Sequence, residues 1–344
     1  MKRIDISYKI FSFVLIFTLL VLPGCSSEHD KNSDKLTEET ETVETLVAEE
    51  ITQVEKLPLE EISETEESLT NELSKTEVTD EIQEIIEPTI TNVDWSSYFD
   101  GINGAAVIYD PSENCYQIYN PELALTQRSP CSTFKIISSL VALENGIIDP
   151  NNSTRTWSGE VFWNEDWNKD IDFSDAFHAS CVWYFREVID EIGQDMMQSE
   201  LNKLQYGNCN IFDWEGHLNS NNNNPALTGF WIESSLLISP KEQVEVMERI
   251  FGDHTDYSEE TLNQIKQVML LIEQSEADIS IYGKTGMGMA NGAVVDSWFT
   301  GFADTVEERI YFCVYLGETE DKNVSSAKAR EIAIRVVCDY LQYP

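Results

Sequence analysis

The chain divides into two segments of different composition, and only the second can form a folded domain. All eight tryptophans lie after residue 93, whereas residues 26–93 contain no aromatic residue. These 68 residues carry 21 Asp and Glu against four Lys, a net charge of −17. Such a segment cannot bury enough apolar surface to offset the entropy lost on ordering. We therefore predict an acidic disordered tether over residues 25–93 and a globular domain over residues 94–344.

The first 24 residues have the features of an export signal. Three basic residues lie within the first nine positions, and the apolar run that follows, residues 11–22, is short for a membrane span. The run ends in Leu-Pro-Gly before Cys25, which is typical of a bacterial lipoprotein signal; an ordinary signal peptide with an incidental cysteine is the alternative. We expect lipid, such as palmitate, on Cys25 and anchoring to the cell membrane on its extracytoplasmic face.

The charge of the predicted domain argues against several classes of partner. Residues 94–344 carry 15 basic and 40 acidic side chains, a net charge of −25. Nucleic acids and anionic lipid surfaces both require basic patches, so we expect neither as a partner and assign membrane attachment to Cys25 alone. The four histidines have no zinc-binding spacing, and we predict no metal.

The cysteines leave the question of disulfides open. Six remain after Cys25, and their spacing does not resolve a pairing. Cys131 and Cys181 each adjoin a candidate catalytic serine. We interpret both as small buried thiols, because free cysteine commonly packs as a small apolar residue.

A hydroxyl and an amine lie three residues apart at the start of an apolar helix. Ser132 and Lys135 precede apolar residues at helical spacing, so both side chains should share one face of the helix. A serine needs a base to act as a nucleophile, and a buried lysine can supply one because burial disfavours the ammonium form. The same pattern at Ser325 and Lys328 is interpreted as a helix cap.

Four further motifs follow in order along the chain. They are Ser-x-Val at Ser180, Tyr-Gly-Asn at Tyr206, Phe-Trp-Ile-Glu at Phe230 and Lys-Thr-Gly at Lys284. Together with Ser-x-x-Lys, this order resembles the class D (oxacillinase-type) serine β-lactamases. The resemblance covers residues from about 94 to the C-terminus.

The strand and helix patterns predict an α+β fold. Residues 104–109 and 116–119 form a predicted hairpin, and residues 280–284, 297–303 and 310–316 form three later strands. Residues 132–275 are predicted to be rich in helix, and a last helix is predicted over residues 326–341. The resemblance implies that the five strands form one antiparallel sheet with a helical lobe inserted, as in serine β-lactamases and penicillin-binding transpeptidases. The site would lie between sheet and lobe.

The resemblance implies a role for each catalytic candidate. Ser132 would be the nucleophile that opens the β-lactam ring, and Lys135, N-carboxylated by carbon dioxide, would be the general base. Ser180 would relay a proton to the ring nitrogen. Trp231 would donate its indole N–H to the carbamate, and Val182 would keep the lysine pocket dry. No other cofactor is expected.

The resemblance also implies the groups that bind substrate. Lys284 and Thr285 would bind the substrate carboxylate, Gly286 would give the substrate room, and the Met287 N–H would form part of the oxyanion hole. Arg330 on the last helix would bind the same carboxylate as a planar, bidentate donor, with Arg335 as the alternative if the alignment shifts. Tyr-Gly-Asn is predicted to be a structural turn.

These features predict a lipid-anchored hydrolase of β-lactam antibiotics. Three alternatives remain: a β-lactam sensor that stays acylated, a penicillin-binding peptidase, and a binding lipoprotein without catalysis. The sequence lacks the membrane spans and the zinc-protease motif of such sensors and the accessory domain of such peptidases. Only the binding lipoprotein leaves the serine beside a dry lysine unexplained.

Overall fold

The computed structural model describes residues 87–217, 224–274, 279–290, 292–320 and 322–342. These residues belong to one compact unit, Gln83–Pro344. The predicted signal, Cys25 and most of the predicted tether lie outside the described residues. Within the described part, no helix is both long enough and apolar enough to cross a membrane.

The described strands form a seven-stranded sheet in the order β1-β3-β2-β7-β6-β5-β4. Their bounds are Thr89–Asn92 (β1), Gly104–Asp110 (β2), Cys115–Tyr119 (β3), Leu270–Gln274 (β4), Ile279–Ala290 (β5), Ala293–Asp304 (β6) and Arg309–Gly317 (β7). The N-terminal hairpin and the three long C-terminal strands therefore join in one sheet through the β2–β7 pair, as the sequence predicted.

The sheet differs from the predicted one at both edges. β1 pairs with β3 in parallel, so the sheet is mixed and not wholly antiparallel. β1 also lies inside the segment predicted to be the tether, so the folded part begins before Asp94. Every side chain of β1 is exposed, and without a buried face these residues have no apolar alternation from which a strand could be predicted.

At the opposite edge, β4 follows the helix that ends at Met269 without a break. The sequence analysis placed this stretch in the helical middle, because the apolar run 268–272 continues the helix pattern. Antiparallel pairing with β5, from Leu270 opposite Tyr282 to Gln274 opposite Ile279, makes it a strand instead.

The helices cover both faces of the sheet. Their bounds are Ser96–Phe99 (α1), Pro121–Ala124 (α2), Lys135–Glu144 (α3), Phe173–His178 (α4), Val182–Ile192 (α5), Gln194–Leu204 (α6), Pro240–Phe251 (α7), Glu259–Met269 (α8) and Ser326–Tyr340 (α9). α9 packs on β5, β6 and β7, and α7 packs on β2, β6 and β7. The α+β prediction is confirmed, with most helices in one lobe between β3 and β4.

Local sequence signals explain where several elements begin and turn. Ser325 caps α9 by accepting a hydrogen bond from the Lys328 N–H at 3.2 Å, which confirms the predicted cap. Gly207 has φ = 50°, and a Cβ there would lie 2.0 Å from the carbonyl oxygen of Leu237. The neighbouring Asn208 side chain donates to the Ser235 carbonyl at 2.9 Å. Tyr-Gly-Asn is therefore a structural turn, as predicted.

Candidate active site

Ser132 and Lys135 meet where a short 3-10 turn, Cys131–Phe134, runs into α3. We call this 3-10 turn the nucleophile turn. The Lys135 ammonium donates a hydrogen bond to the Ser132 hydroxyl at 3.1 Å. The i, i+3 spacing places the two side chains together, as the sequence predicted. Cys131 has φ = 49°, so the residue before the serine is in the left-handed region.

Lys135 is buried among apolar and aromatic groups. Its side chain is 1% exposed, and its Nζ atom lies 5.3 Å from the centre of the Phe185 ring. Burial lowers the pKa of Lys135 to about 8, with Cys181 and then Cys131 opposing part of this shift. A fraction of the lysine is therefore the neutral amine near neutral pH, which is the form that can accept a proton.

Ser180 and Lys284 form a second pair of hydroxyl and amine. Lys284, on β5, donates a hydrogen bond to the Ser180 hydroxyl and another to the Thr285 carbonyl at 3.2 Å. Ser180 has φ = 54° and lies just before α5. Burial, and then the charge of Lys135, lower the pKa of Lys284 well below its usual value. The two lysines are thus close enough to repel when both are charged.

A cavity of about 270 Å³ opens beside these groups. Of the residues predicted to act, those that line it are Ser132, Ser180, Val182, Thr285, Gly286 and Met287. Lys135 and Lys284 are buried and reach the cavity through the hydroxyl groups to which they donate. The structure therefore brings both hydroxyl–amine pairs and the Lys-Thr-Gly strand to one place.

Gly286 has a reason for being glycine that the sequence analysis did not identify. A Cβ at this position would lie 2.9 Å from the Pro130 carbonyl oxygen and 3.0 Å from Cγ2 of Thr133. The absence of a side chain thus lets β5 approach the nucleophile turn. This packing is a reason for the glycine in addition to the room for a substrate that the resemblance implies. Gly286 also lines the cavity, so its contact with a substrate stays a prediction.

Trp231 is buried at 1% exposure, and its ring stacks on Phe134 with centroids 6.1 Å apart. Its backbone carbonyl accepts hydrogen bonds from the Cys131 N–H at 2.9 Å and from the Ser129 hydroxyl at 3.1 Å. This anchoring of the nucleophile turn was not predicted. The indole contact with a carbamate stays a prediction.

Of the two candidate arginines, Arg330 is the better placed. It is exposed and lies outside the cavity lining, but it follows by one helical turn Ser326, which does line the cavity. Arg335 stacks over the Tyr98 ring at 5.1 Å and so contacts α1 instead. The role of Arg330 in binding a carboxylate stays a prediction.

Several residues of the cavity were not predicted. Trp163, Leu227, Ile232 and Met289 give it an apolar lining, and Trp163 is 74% exposed. Trp163, Leu227 and Met289 come from a loop, a 3-10 turn and a strand end, where no motif marks them. Ile232 lies inside the Phe-Trp-Ile-Glu motif, but no role was predicted for it. Glu233, the last residue of the Phe-Trp-Ile-Glu motif, also lines the cavity.

The described cysteines form no disulfide, and the described residues show no metal-binding cluster. Each of the six cysteines in the described part is a free thiol, and Cys131 and Cys181 are buried, as interpreted from the sequence. Among the described residues, no group of three or more His, Cys, Asp or Glu side chains could hold a metal ion. The expectation of a metal-free site stays a prediction.

Comparison with known proteins identifies the family to which the chain belongs. The penicillin-binding protein transpeptidase domain family matches residues 104–337. The regulatory protein BlaR1 of Bacillus licheniformis is 31% identical over 74% of this chain, and the β-lactamase OXA-1 of Escherichia coli is 30% identical over 70% of it. These matches cover 40% of BlaR1 and 86% of OXA-1, so the chain spans about two fifths of the length of BlaR1.

A solved structure agrees with these matches. The C-terminal domain of the Bacillus licheniformis BlaR penicillin receptor superposes with a TM-score of 0.65 and 30% identity, covering 75% of this chain and 98% of that domain. The predicted fold, that of serine β-lactamases and penicillin-binding transpeptidases, is confirmed. The chain is therefore a member of the penicillin-binding protein transpeptidase domain family.

Proposed function

We propose that this chain hydrolyses β-lactams through an acyl-enzyme on Ser132, with Lys135 as the general base. The observation that carries the proposal is the 3.1 Å hydrogen bond between the Lys135 amine and the Ser132 hydroxyl, inside a pocket that lowers the pKa of the lysine to about 8. A general base is most effective when its pKa lies near the working pH. An enzyme relative, OXA-1, supports the reaction class.

The first half of the reaction uses both hydroxyl–amine pairs. Lys135 would take the proton of Ser132 as its oxygen attacks the β-lactam carbonyl, and the backbone N–H groups of Ser132 and Met287 would stabilise the oxyanion. Ring opening leaves a nitrogen that needs a proton. Lys284, hydrogen bonded to Ser180, would deliver one through the Ser180 hydroxyl. Thr285 and Arg330 would bind the substrate carboxylate.

Carboxylation of Lys135 is part of the proposal, and the pocket suits it. Carbon dioxide adds only to the neutral amine, which burial favours here. A carbamate would also replace the cation that now repels Lys284 with an anion that attracts it. When present, it supplies an anionic oxygen as the base. The chain contributes the apolar walls of Phe185 and Val182 and the buried indole of Trp231.

A second candidate is a sensor that is acylated once and does not turn over. The similarity to BlaR1, a regulatory protein, favours it. Val182, which lines the cavity, favours the hydrolase. Its apolar side chain cannot hydrogen bond to the Lys135 amine, so the amine stays available to form a carbamate or to activate a water.

Stopped-flow hydrolysis of nitrocefin separates these functions. For the hydrolase we expect many turnovers per protein molecule, and for the sensor a single stoichiometric burst. Ser132→Ala should abolish both signals while the far-UV circular dichroism stays unchanged, and Ser325→Ala serves as a control at the second Ser-x-x-Lys motif. A covalent adduct on any peptide other than the one containing Ser132 would contradict the proposal.

A further inference from the structure

A carboxyl group lies directly behind the nucleophile turn, where the proposed chemistry does not use it. Glu233 has φ = 47°, and its backbone N–H donates to the Ser129 hydroxyl at 2.8 Å. Its carboxylate accepts a hydrogen bond from the Cys131 thiol at 3.3 Å. Glu233 thus contacts both the start of the nucleophile turn and the segment just before it.

The Glu233 carboxyl group also packs against the sheet, at Gly288 of β5. A Cβ at Gly288 would lie 1.7 Å from Oε1 of Glu233, so any other residue at this position of β5 would displace the Glu233 carboxyl group. Gly288 stands opposite Asp296 of β6 in the strand register. Glu233 therefore connects the nucleophile turn to β5 and, across that strand, to β6.

Asp296 is the partner of Glu233 in the sheet. It is 5% exposed and accepts a hydrogen bond from the Tyr315 hydroxyl at 2.5 Å. It lies close enough to Glu233 that each carboxyl group shifts the pKa of the other. Two carboxyl groups can hydrogen bond to each other only if one of them holds a proton. Two carboxylates at such a site would repel, so one of them keeps its proton more strongly than a free acid does.

We propose that Glu233 is a positioning residue that, in its protonated form, donates a hydrogen bond to Asp296 and so holds Cys131 and the adjoining Ser132 in place against β5 and β6. Loss of the proton would put two carboxylates side by side behind the nucleophile turn. The turn would then lose this one attachment to the sheet, while the packing of Gly286 against it would remain. The link to Ser132 reactivity rests on the proposed function, whereas the carboxyl pair does not.

The surrounding groups agree with this assignment of the proton. Burial, and then the charge of Asp296, raise the pKa of Glu233 to about 7, and His217 opposes this weakly. Burial raises the pKa of Asp296 as well, but the hydrogen bond from Tyr315, the charge of Arg128 and the contact with Glu233 all oppose this shift, which makes Asp296 the ionised partner. Burial is the main cause that raises the pKa of Cys131, and the charge of Asp296 adds to it, so the thiol keeps its proton and donates.

The sign of the pH effect follows from the raised pKa. A carboxyl group that holds its proton more tightly in the folded state stabilises the fold fully at low pH, below the ordinary Glu pKa of about 4.5. This stabilisation is lost as the pH rises through about 7. Lys135 acts in the opposite direction, because its neutral form increases as the pH rises. The acylation rate of a Glu233 variant divided by that of wild type at the same pH cancels the effect of Lys135. This ratio therefore reports the effect of Glu233.

The test compares full-length wild type with Glu233→Gln, Asp296→Asn and, as a control, Glu248→Gln. Glu248 on α7 also has a pKa raised by burial but does not line the cavity. We measure the second-order rate of acylation by a fluorescent penicillin, and the thermal midpoint, from pH 5.5 to 8.5. The amide of the Glu233→Gln variant would keep an N–H donor for Asp296 at every pH, so it mimics protonated Glu233.

We expect the acylation rate of Glu233→Gln, divided by that of wild type, to be about 1 at pH 5.5 and at least threefold higher at pH 8.5, since roughly one and a half pH units separate this pH from the pKa of Glu233. The Glu248→Gln ratio should stay flat. Asp296→Asn should also remove the wild-type loss of thermal midpoint between pH 5.5 and 8.5, about 3 °C or more.

A flat acylation ratio for Glu233→Gln with a changed thermal profile would overturn the positioning role, because the carboxyl pair would then affect stability alone. Flat results in both measurements would overturn the carboxyl pair itself. If wild type reacts with no penicillin, the proposed function fails. The pH dependence of the thermal midpoint of Glu233→Gln and of Asp296→Asn would then still test whether a proton shared by the two carboxyl groups stabilises the nucleophile turn.

Discussion

The two buried lysines of the site show how neighbouring side chains set a residue's chemistry. Lys135 is 1% exposed and Lys284 is 4% exposed, and the pKa of each is lowered by its own burial. The positive charge of Lys135 lowers the pKa of Lys284 further. The pair therefore carries less than two positive charges near neutral pH, which leaves an amine free to act as a base.

Carboxylation of Lys135 should follow the titration of its amine. Under a fixed partial pressure of ¹³C-labelled carbon dioxide, we expect the carbamate signal in ¹³C NMR to rise from pH 6 to about 8, where the amine becomes neutral. Deacylation should rise in parallel. Trp231→Ala should weaken the signal, and Trp163→Ala, at the exposed rim of the cavity, is the control. A strong signal at pH 6 that does not change with pH would contradict the mechanism.

Arg330 should act on substrates that carry a ring carboxylate. Arg330→Ala should lower kcat/KM. The fall should correspond to a loss of about 1.5 to 3 kcal/mol of transition-state stabilisation, the scale of a hydrogen bond to a charged group. Arg335→Ala is the matched control, because that guanidinium stacks on Tyr98. Kinetics with a penicillin and with its carboxylate ester give the measurement. An equal loss for acid and ester would remove Arg330 from the binding of the carboxylate.

At the scale of elements, the site depends on how closely β5 approaches the nucleophile turn. Gly286 and Gly288 both lie on the face where this contact is made, against Pro130 and Glu233 respectively. The residues between and beside them, Thr285 and Met287, line the cavity. The glycines therefore set the distance at which the strand can present its backbone to a substrate.

Gly286→Ala should push β5 away from the nucleophile turn. The added Cβ would meet the Pro130 carbonyl at 2.9 Å, which backbone movement alone can relieve. We expect a loss of stability of about 1 to 3 kcal/mol, as for other overpacked sites, and a fall in the acylation rate larger than this loss explains. Gly317→Ala on β7, where the added Cβ would meet only side-chain atoms at 3.1 Å or more, controls for the glycine change itself. Chemical denaturation and acylation kinetics measure the two effects.

The distances along the chain explain which parts of the fold and site could be predicted. Ser132 and Lys135 are three residues apart across the junction of the nucleophile turn and α3, so local spacing was enough to pair them. Glu233 and Asp296 come together only through the nucleophile turn and the register of β5 with β6, which no local pattern contains. β4 was missed because its apolar residues continue the pattern of α8, and pairing with β5 overrides that pattern.

At the scale of the whole molecule, attachment to the membrane and catalysis by the folded domain should be separable. We predict that Cys25→Ser releases the protein from membranes without changing the kinetics of the domain, because lipid contributes about 0.8 kcal/mol per buried CH₂ and an acidic segment adds no attraction to anionic lipid. Cell fractionation and nitrocefin kinetics test this, with Cys115→Ser as a control thiol. Retention of Cys25→Ser in the membrane fraction would contradict lipid anchoring.

The parallel pairing of β1 with β3 has a practical consequence for how the domain can be cut from the chain. The sequence alone would place the domain boundary at Asp94, beyond the strand Thr89–Asn92. A fragment starting there would leave the backbone groups of β3 unpaired along a free edge, and such edges recruit strands from other molecules. The short, polar strand thus acts as a cover for the sheet, and fragments that keep it should stay monomeric where shorter ones self-associate.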